Sequence, residues 1–421
     1  MTDTASSPEV RPMPWAQLFT LAAATFMSVT IEMLPTGVMN LMSKDLGVSE
    51  SQIGMLMTIF AMSVVFTSTP LMYLLRHVPK RLLLVTVFAA FAVGTIGTAI
   101  ASSYAIIVIT RIVTGIAQGV FWASVTAYVG HLVHRSQLTT AVSITSGGGG
   151  LAFVLGVPLG TALGQWLGWR TAFLVLAALC LLVAILLSRI LPTRVAEPQT
   201  DTAAIEVQPA PTAIGDAEQA GRDHGLPKRP RRSMRLVILV CLLCGLTITA
   251  HFTYYTYISV QLLGPTGLAH EFLAIALFAY GVTSCIATFT TGPLFSTRST
   301  LGFRIAYALM FVGGGLVTFS HHSVWLGMVG LLAWGVSMGF MPTLLQTRLL
   351  AVAPSKHRDL ASALYTSGFN LGISCGAYFG GLLLDEFGID SLGIAFLIGV
   401  AAAASYSVIM DALTARRERA H

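Results

Sequence analysis

Long apolar stretches dominate this sequence and are separated by short polar segments. Their length indicates membrane-spanning helices, since a helix needs about 20 apolar residues to cross the hydrocarbon core of a bilayer. The apolar residues run continuously instead of alternating with polar ones, which favours a helical bundle over an outer-membrane barrel. We predict twelve spans, at residues 15–41, 52–75, 82–101, 104–128, 139–164, 170–191, 235–262, 271–294, 301–320, 323–347, 359–384 and 391–413.

One polar segment, residues 192–234, is much longer than the others. It is rich in Pro, Ala and charged residues and poor in large apolar ones, a composition that cannot bury enough surface to order itself. We therefore predict a flexible linker that divides the spans six and six. The predicted organisation is an N-terminal tail at 1–14, a bundle at 15–191, the linker at 192–234, a second bundle at 235–413 and a C-terminal tail at 414–421.

Composition supports a membrane protein and gives its orientation. Hydrophobic residues make up 55% of the 421 residues and charged residues only 10%, whereas a soluble protein carries about 25% charged residues. Residues 1–12 lack the basic start and cleavage site of a signal peptide, so we expect the first apolar run to remain as a span. Of the 24 Lys and Arg, only Lys44 and Arg170 fall on the outer side if the N-terminus is cytoplasmic. The positive-inside rule then predicts that both termini are cytoplasmic.

The two halves resemble each other at an offset of about 220 residues. "TPLMYLLR" at 69–76 resembles "GPLFSTR" at 292–298, "TGIAQGV" at 114–120 resembles "WGVSMGF" at 334–340, and "AVSITSGGGG" at 141–150 resembles "ASALYTSGFN" at 361–370. The order of these pairs indicates a duplicated six-helix unit. We predict an all-α membrane protein with two pseudo-symmetric six-helix bundles and a substrate site between them near the midplane.

Three ionisable residues lie deep inside the predicted spans: Glu32, Arg111 and His251. Each lies roughly 10–16 Å from the outer end of its span at 1.5 Å per residue. Ionisable groups at such depth are costly and often functional. Glu32 is either a structural carboxylate that pairs with Arg111 or a proton carrier whose protonation Arg111 controls. His251 is either a packed core residue or a third proton-coupling group, since imidazole titrates near neutral pH.

Polar residues also form stripes at a spacing of four, on spans one, seven and eleven. Such stripes would leave unpaired polar groups if they faced lipid, so we expect them to face a central cavity. Aromatic residues beside them either stack on a flat or cationic substrate or simply pack the core. The candidate substrate-cavity residues are Ser28, Thr36, Gln118, Trp122, Tyr254, Tyr255, Thr366 and Asn370.

Several motifs resemble those of the major facilitator superfamily, in its drug and sugar efflux branch of proton antiporters, which includes arabinose or sugar efflux and chloramphenicol-type exporters. Span one carries Glu-x-x-Pro-x-Gly, span four carries "RIVTGIAQG" and span five carries "GGGGLAFVLGVPLG". In span five the Pro is displaced by one position from the usual Gly-Pro-x-x-Gly. The resemblance covers essentially all twelve spans. It implies helix packing through Gly115, Gly119, Gly156, Pro158 and Gly160.

The loop after span two resembles the superfamily's basic motif only in part. Arg76, Lys80 and Arg81 match, and the resemblance implies that they act as a conformational latch. Leu71, Leu75 and Val78 replace the motif's first Gly, its Asp and its second Gly.

The combined prediction is a secondary active transporter that exports a small organic solute (a drug, sugar or metabolite) in exchange for protons by alternating access. The alternative is an uncoupled facilitator or importer of a small solute. We expect no enzymatic activity, no cofactor and no metal, because the proton gradient supplies the energy. The expected partners are the substrate, protons and membrane lipid, without nucleic acid, and we expect a monomer.

Overall fold

A computed structural model describes residues 13–75, 77–133, 137–192, 233–296, 298–354 and 357–419 of the chain. The predictions for residues 1–12 and 420–421 of the tails, for Arg76 and for residues 193–232 of the linker lie outside these ranges. Within them the chain is almost entirely helical.

The helices follow the order that the apolar pattern predicts, and we keep the span numbers for them. The first bundle contains span one (Trp15–Leu46), span two (Glu50–Leu74), span three (Lys80–Ala99), span four (Tyr104–Leu132), span five in three consecutive segments (Leu138–Leu151, Ala152–Gly156, Val157–Leu167) and span six (Trp169–Ile190). The second contains span seven (Met234–Tyr255, then Ile258–Leu263), span eight (Leu273–Phe295), span nine (Ser299–Thr318), span ten (Val324–Val352), span eleven (Arg358–Phe387) and span twelve (Ile389–Arg419).

Among the described residues, eleven helices are long and apolar enough to cross a membrane. The remaining long helix, span eleven, carries the polar stripe and packs against spans seven and two. This supports the all-α fold and approximately supports the count of twelve. Span twelve continues to Arg419, so the residues predicted as a tail from 414 onward are helical up to that point.

Span five contains a π-helical turn at Ala152–Gly156. The amide of Val157 donates to the carbonyl of Ala152, five residues earlier, directly before Pro158. Proline has no N–H to continue an α-helical ladder, and a π turn rearranges the bonds around it. The displaced Pro of the motif therefore coincides with a local widening of the helix.

Span seven corrects the prediction of one helix over 235–262. Its first segment ends at Tyr255, and a second begins at Ile258. Tyr257 lies at this break, and its hydroxyl donates to the carbonyl of Ala377 at 2.9 Å. The ring also fills a space that glycine leaves in span two, because a Cβ on Gly54 would lie 2.1 Å from the Tyr257 hydroxyl.

The glycines of spans four and ten show the internal repeat in three dimensions. A Cβ on Gly115 would lie 2.7 Å from the carbonyl oxygen of Phe60 in span two. A Cβ on Gly335 would lie 2.8 Å from the carbonyl oxygen of Tyr280 in span eight. Both pairs are related by the same offset of about 220 residues. Equivalent positions thus bring equivalent helices into backbone contact, as small residues do in membrane bundles.

The two bundles are hydrogen-bonded to each other toward the predicted outer side. The bonds include Ser51 Oγ to Asp385 Oδ2 (2.5 Å), Thr58 Oγ1 to the Ser374 carbonyl (3.1 Å) and Ser259 Oγ to the Thr36 carbonyl (2.9 Å). Along span eleven, Ser374 is buried, Asn370 is half-buried, and Thr366 is exposed nearer the predicted cytoplasmic end. The polar face of span eleven therefore opens in the direction opposite to the contacts.

Candidate functional site

Glu32 lies inside the first bundle and is 7% exposed. Its Oε2 accepts a hydrogen bond from Gln118 Nε2 at 2.9 Å. Gln118 Oε1 accepts in turn from Ser28 Oγ at 2.5 Å. Spans one and four hold the three side chains in a chain of hydrogen bonds, Ser28 to Gln118 to Glu32. The carboxylate is thus held by a neutral amide.

Arg111 of span four is 2% exposed and is close enough to Glu32 for their charges to interact. The two side chains form no salt bridge within 4.0 Å. Instead, Arg111 Nη1 donates to the carbonyl of Ile31 at 3.0 Å. The guanidinium also lies 5.8 Å from the ring centroids of Phe60 and Phe173, a distance at which cation–π attraction operates.

Pro35 explains why the Ile31 carbonyl is available to Arg111. In a regular helix this carbonyl would accept from the amide of residue 35, but proline has no N–H. A carbonyl left unpaired in the membrane costs several kcal/mol, and a polar side chain from a neighbouring helix can satisfy it. Arg111 does so. The helix kinks just beyond, where Val38 has φ −114° and ψ 15°.

Some donors and acceptors at this site have no hydrogen-bond partner among the described residues. They are Arg111 Nε and Nη2, Thr36 Oγ1 and Asn40 Oδ1. Buried polar groups are normally paired with protein or water. Thr36 and Asn40 follow Glu32 by about one and two turns of span one, and Arg111 lies on span four, so water bound in this region would find donors and acceptors without partners.

His251 lies in the second bundle and is 2% exposed. Its Nδ1 accepts from Trp334 Nε1 of span ten at 3.1 Å, and its ring stacks on Tyr255 at 4.8 Å between centroids. The hydrogen-bond partners of Glu32 all belong to the first bundle, and His251 is not among them. The structure therefore brings Glu32 and Arg111 together and places His251 in an aromatic cluster of the other bundle.

The candidate cavity residues occupy different environments. Ser28 and Gln118 belong to the Glu32 chain, and Thr36 is buried beside the contact with Ser259. Trp122 is half-buried and makes an edge contact with Phe121.

In the second bundle, Tyr255 packs against Tyr280 of span eight, at 5.1 Å between ring centroids. Tyr254 stacks on Trp334 and packs against Phe396, in the interior of that bundle. Thr366 and Asn370 are bonded along span eleven and lie on its more exposed stretch.

The described residues of the candidate latch contact their own bundle. Arg81 Nη2 donates to the carbonyl of Ser188 at the end of span six, and Lys80 is half-buried at the start of span three. The candidate packing residues bring spans four and five against their neighbours. A Cβ on Gly119 would lie 3.1 Å from Ser68, one on Gly156 2.0 Å from Thr30, and one on Gly160 2.5 Å from Leu34, and Pro158 is buried between the last two.

Sequence reasoning missed two features of the site. The first is the main-chain carbonyl of Ile31 as the partner of Arg111, which the missing N–H of Pro35 could have indicated. The second is the contact of Tyr257 and Asp385 with span two on the predicted outer side, where Asp385 accepts from Ser51 and the Tyr257 hydroxyl lies against Gly54. Within the described ranges, no group of three His, Cys, Asp or Glu residues could hold a metal ion.

A sequence model of the Major Facilitator Superfamily matches residues 21–345 and, in a second match, 240–420. Among curated proteins, the chain is 26% identical over 377 residues to a probable sugar efflux transporter of Helicobacter pylori and 27% identical to one of Helicobacter acinonychis. Each match covers 90% of this chain and 90% of the relative.

Solved structures show the same fold. A bacterial homologue of the human lysosomal transporter Spinster, in an inward-facing and unoccupied conformation, has a TM-score of 0.70 at 15% identity, over 97% of this chain and 98% of that one. The nucleoside transporter NupG has a TM-score of 0.69 at 13% identity, over 95% of this chain and 99% of that one.

Proposed function

The chain belongs to the Major Facilitator Superfamily, and we propose that it exports a small sugar, or a similarly hydroxylated solute, in exchange for protons by alternating access. A member of this superfamily is a transporter and not an enzyme, and its apolar helices make this chain a multi-pass membrane protein. We place it, as part of the proposal, in the inner membrane of a bacterium with both termini cytoplasmic. It would act as a monomer without a cofactor.

Glu32 carries the proposal. It is a buried carboxylate in a membrane helix, bonded to a neutral amide and near an arginine whose hydrogen bond goes elsewhere. A firm salt bridge would keep such a group ionised in every state. Without one, a change in the distance between Glu32 and Arg111 as the bundles rearrange can change the proton affinity of the carboxylate. Coupling requires that difference between states.

Two observations support a sugar as the substrate. The curated relatives that match along 90% of their length are named as probable sugar efflux transporters. Glu32 is bonded to an amide, and donors or acceptors without partners occur on Arg111 of span four and on Thr36 and Asn40, one and two turns along span one. Such a set suits a neutral solute with several hydroxyls, since each unpaired buried group gains a partner on binding.

Reconstitution tests the proposal. Purified protein in liposomes that contain a pH-sensitive dye is exposed to a panel of neutral monosaccharides, without and with an imposed pH gradient. We expect one or more sugars to evoke proton movement in the opposite direction and to accumulate against their gradient when the pH gradient is imposed. If the rate and extent of sugar flux are the same with and without the imposed pH gradient, the alternative is established, an uncoupled facilitator or importer.

Alternating access predicts that the contact between Ser51 and Asp385 must open in each cycle. Replacing both residues by cysteine should permit a disulfide between spans two and eleven, because their side chains are hydrogen-bonded at 2.5 Å. We expect oxidation to stop transport and a reductant to restore it. The cross-link is detected on a denaturing gel after a protease has cut the linker, because the disulfide keeps the two halves of the chain together. The controls are the two variants in which only Ser51 or only Asp385 is replaced by cysteine. Undiminished transport by the fully cross-linked protein would contradict alternating access through this gate.

A further inference from the structure

A groove between spans nine and twelve lies on the outside of the second bundle, away from the Glu32 site. Its cavity volume is about 370 Å³. This volume falls in the range of sites that hold small organic ligands. Ala308, Ala401 and Ala404 leave room between the two helices, and the neighbouring Phe311 and Val312 are 44% and 54% exposed.

The groove is polar at one end only. Its lining at the predicted cytoplasmic end includes Thr300, Arg304, Ser407 and Asp411. From Arg304 to Phe311 the lining is mainly apolar over roughly 10 Å of span nine, at 1.5 Å per residue. A ligand that fits must therefore have a polar head at the predicted cytoplasmic surface and an apolar chain directed toward the membrane midplane.

The charge at the polar end is positive. Asp411 is already paired with Arg348, and Arg348 Nη1 also donates to Ser407 Oγ. Arg304 lies six residues into span nine, is exposed, and has no described acidic group within 4.0 Å. An arginine at this depth reaches toward the interface, where a lipid phosphate can accept from its guanidinium.

We propose that this groove binds one anionic phospholipid of the cytoplasmic leaflet, with its phosphate on Arg304 and an acyl chain between spans nine and twelve. Basic pockets between transmembrane helices on the cytoplasmic side are suited to anionic head groups. The ligand differs from the transported solute, and the groove lies outside the candidate transport site. The lipid proposal can therefore be tested separately from the proposed transport function.

Native mass spectrometry of the detergent-purified protein tests it, with phosphatidylglycerol and phosphatidylcholine of identical chains and with glycerol phosphate as the free head group. We expect one phosphatidylglycerol to bind in preference to phosphatidylcholine. Arg304→Gln should weaken phosphatidylglycerol binding about five-fold, down to the level of phosphatidylcholine. Arg235→Gln, which removes an exposed arginine at the start of span seven, should leave the preference intact.

A second pair of variants tests the acyl-chain part of the groove. Ala401→Phe should fill the space between the helices and reduce binding of both lipids, whereas Ala402→Phe, at an exposed neighbour outside the groove lining, should not. Equal binding of the two lipids, an unchanged preference in Arg304→Gln, or competition by glycerol phosphate alone would overturn the proposal. So would a dimer that Ala401→Phe dissociates, because a second copy of the chain would then occupy the groove.

Discussion

Glu32→Gln is expected to reduce substrate-evoked proton movement to the level of empty liposomes, while exchange of substrate across the membrane continues. The amide cannot take up and release a proton. It can still accept from Gln118 Nε2 through its own oxygen, so the chain of hydrogen bonds from Ser28 can survive. The measurement compares dye-reported pH change with counterflow of labelled sugar in the same liposomes.

Asp45→Asn is the matched control for this experiment. It makes the same acid-to-amide change at the C-terminal end of span one, where Asp45 is exposed and pairs with Arg170. An exposed ion pair contributes about 0–1 kcal/mol, so folding should be little affected. Coupling should persist in Asp45→Asn. If Glu32→Gln moves protons as well as the unmodified protein does, Glu32 is not the proton carrier, whatever the outcome for sugar flux.

The expected separation of flux from proton movement follows from the position of Glu32 within one bundle. Glu32 accepts its hydrogen bond from Gln118 of span four, and Gln118 accepts from Ser28 of span one, so neither bond depends on the contact between the bundles. The bundles meet at the neighbouring Thr36 carbonyl, one turn along span one, through Ser259. Movement of the second bundle can therefore displace span one just beyond Glu32 without any contact with the Glu32 carboxylate. Pro35 lies between the two points, and the kink at Val38 lies just beyond the second.

The spans and the repeat could be predicted because they depend on local pattern. Apolar length gives a membrane helix, and glycines at equal offsets give equal helix contacts. The break in span seven could not be predicted, since "YYTYIS" at 254–259 contains neither Pro nor Gly to interrupt a helix. Tyr257 is held there by Ala377 and Gly54, which are about 120 and 200 residues away in the chain. Tertiary contacts of this kind leave no periodic signal.

For the candidate site, the sequence indicated which residues lie there but not how their side chains are bonded. Depth and residue type pointed to Glu32 and Arg111, and spacing placed Gln118 beside them. Spacing could not show that Arg111 bonds to a carbonyl, because main-chain acceptors occur at every residue. The environment of His251 was equally hidden, because its aromatic neighbours include Trp334 of span ten, which is 83 residues away.

The bond between Arg111 and the Ile31 carbonyl predicts that Arg111 and Pro35 are energetically coupled. Arg111→Gln alone should destabilise the protein by about 1–3 kcal/mol, because the carbonyl loses its donor. Pro35→Ala supplies a backbone N–H at residue 35 that can bond to the same carbonyl. In that background, the loss of Arg111 should cost less. We expect a coupling energy of about 1–2 kcal/mol in the double-mutant cycle.

Thermal unfolding of the four proteins in detergent measures this coupling, with the double variant melting higher than the sum of the two single shifts predicts. Pro293→Ala provides the matched control, since Pro293 is also inside a membrane helix but lies in span eight of the other bundle. Its effect should add to that of Arg111→Gln, as distant sites usually do. Additive shifts for Pro35→Ala as well would mean that Arg111 stabilises the bundle through its contacts with Phe60 and Phe173 instead of through the carbonyl that proline exposes.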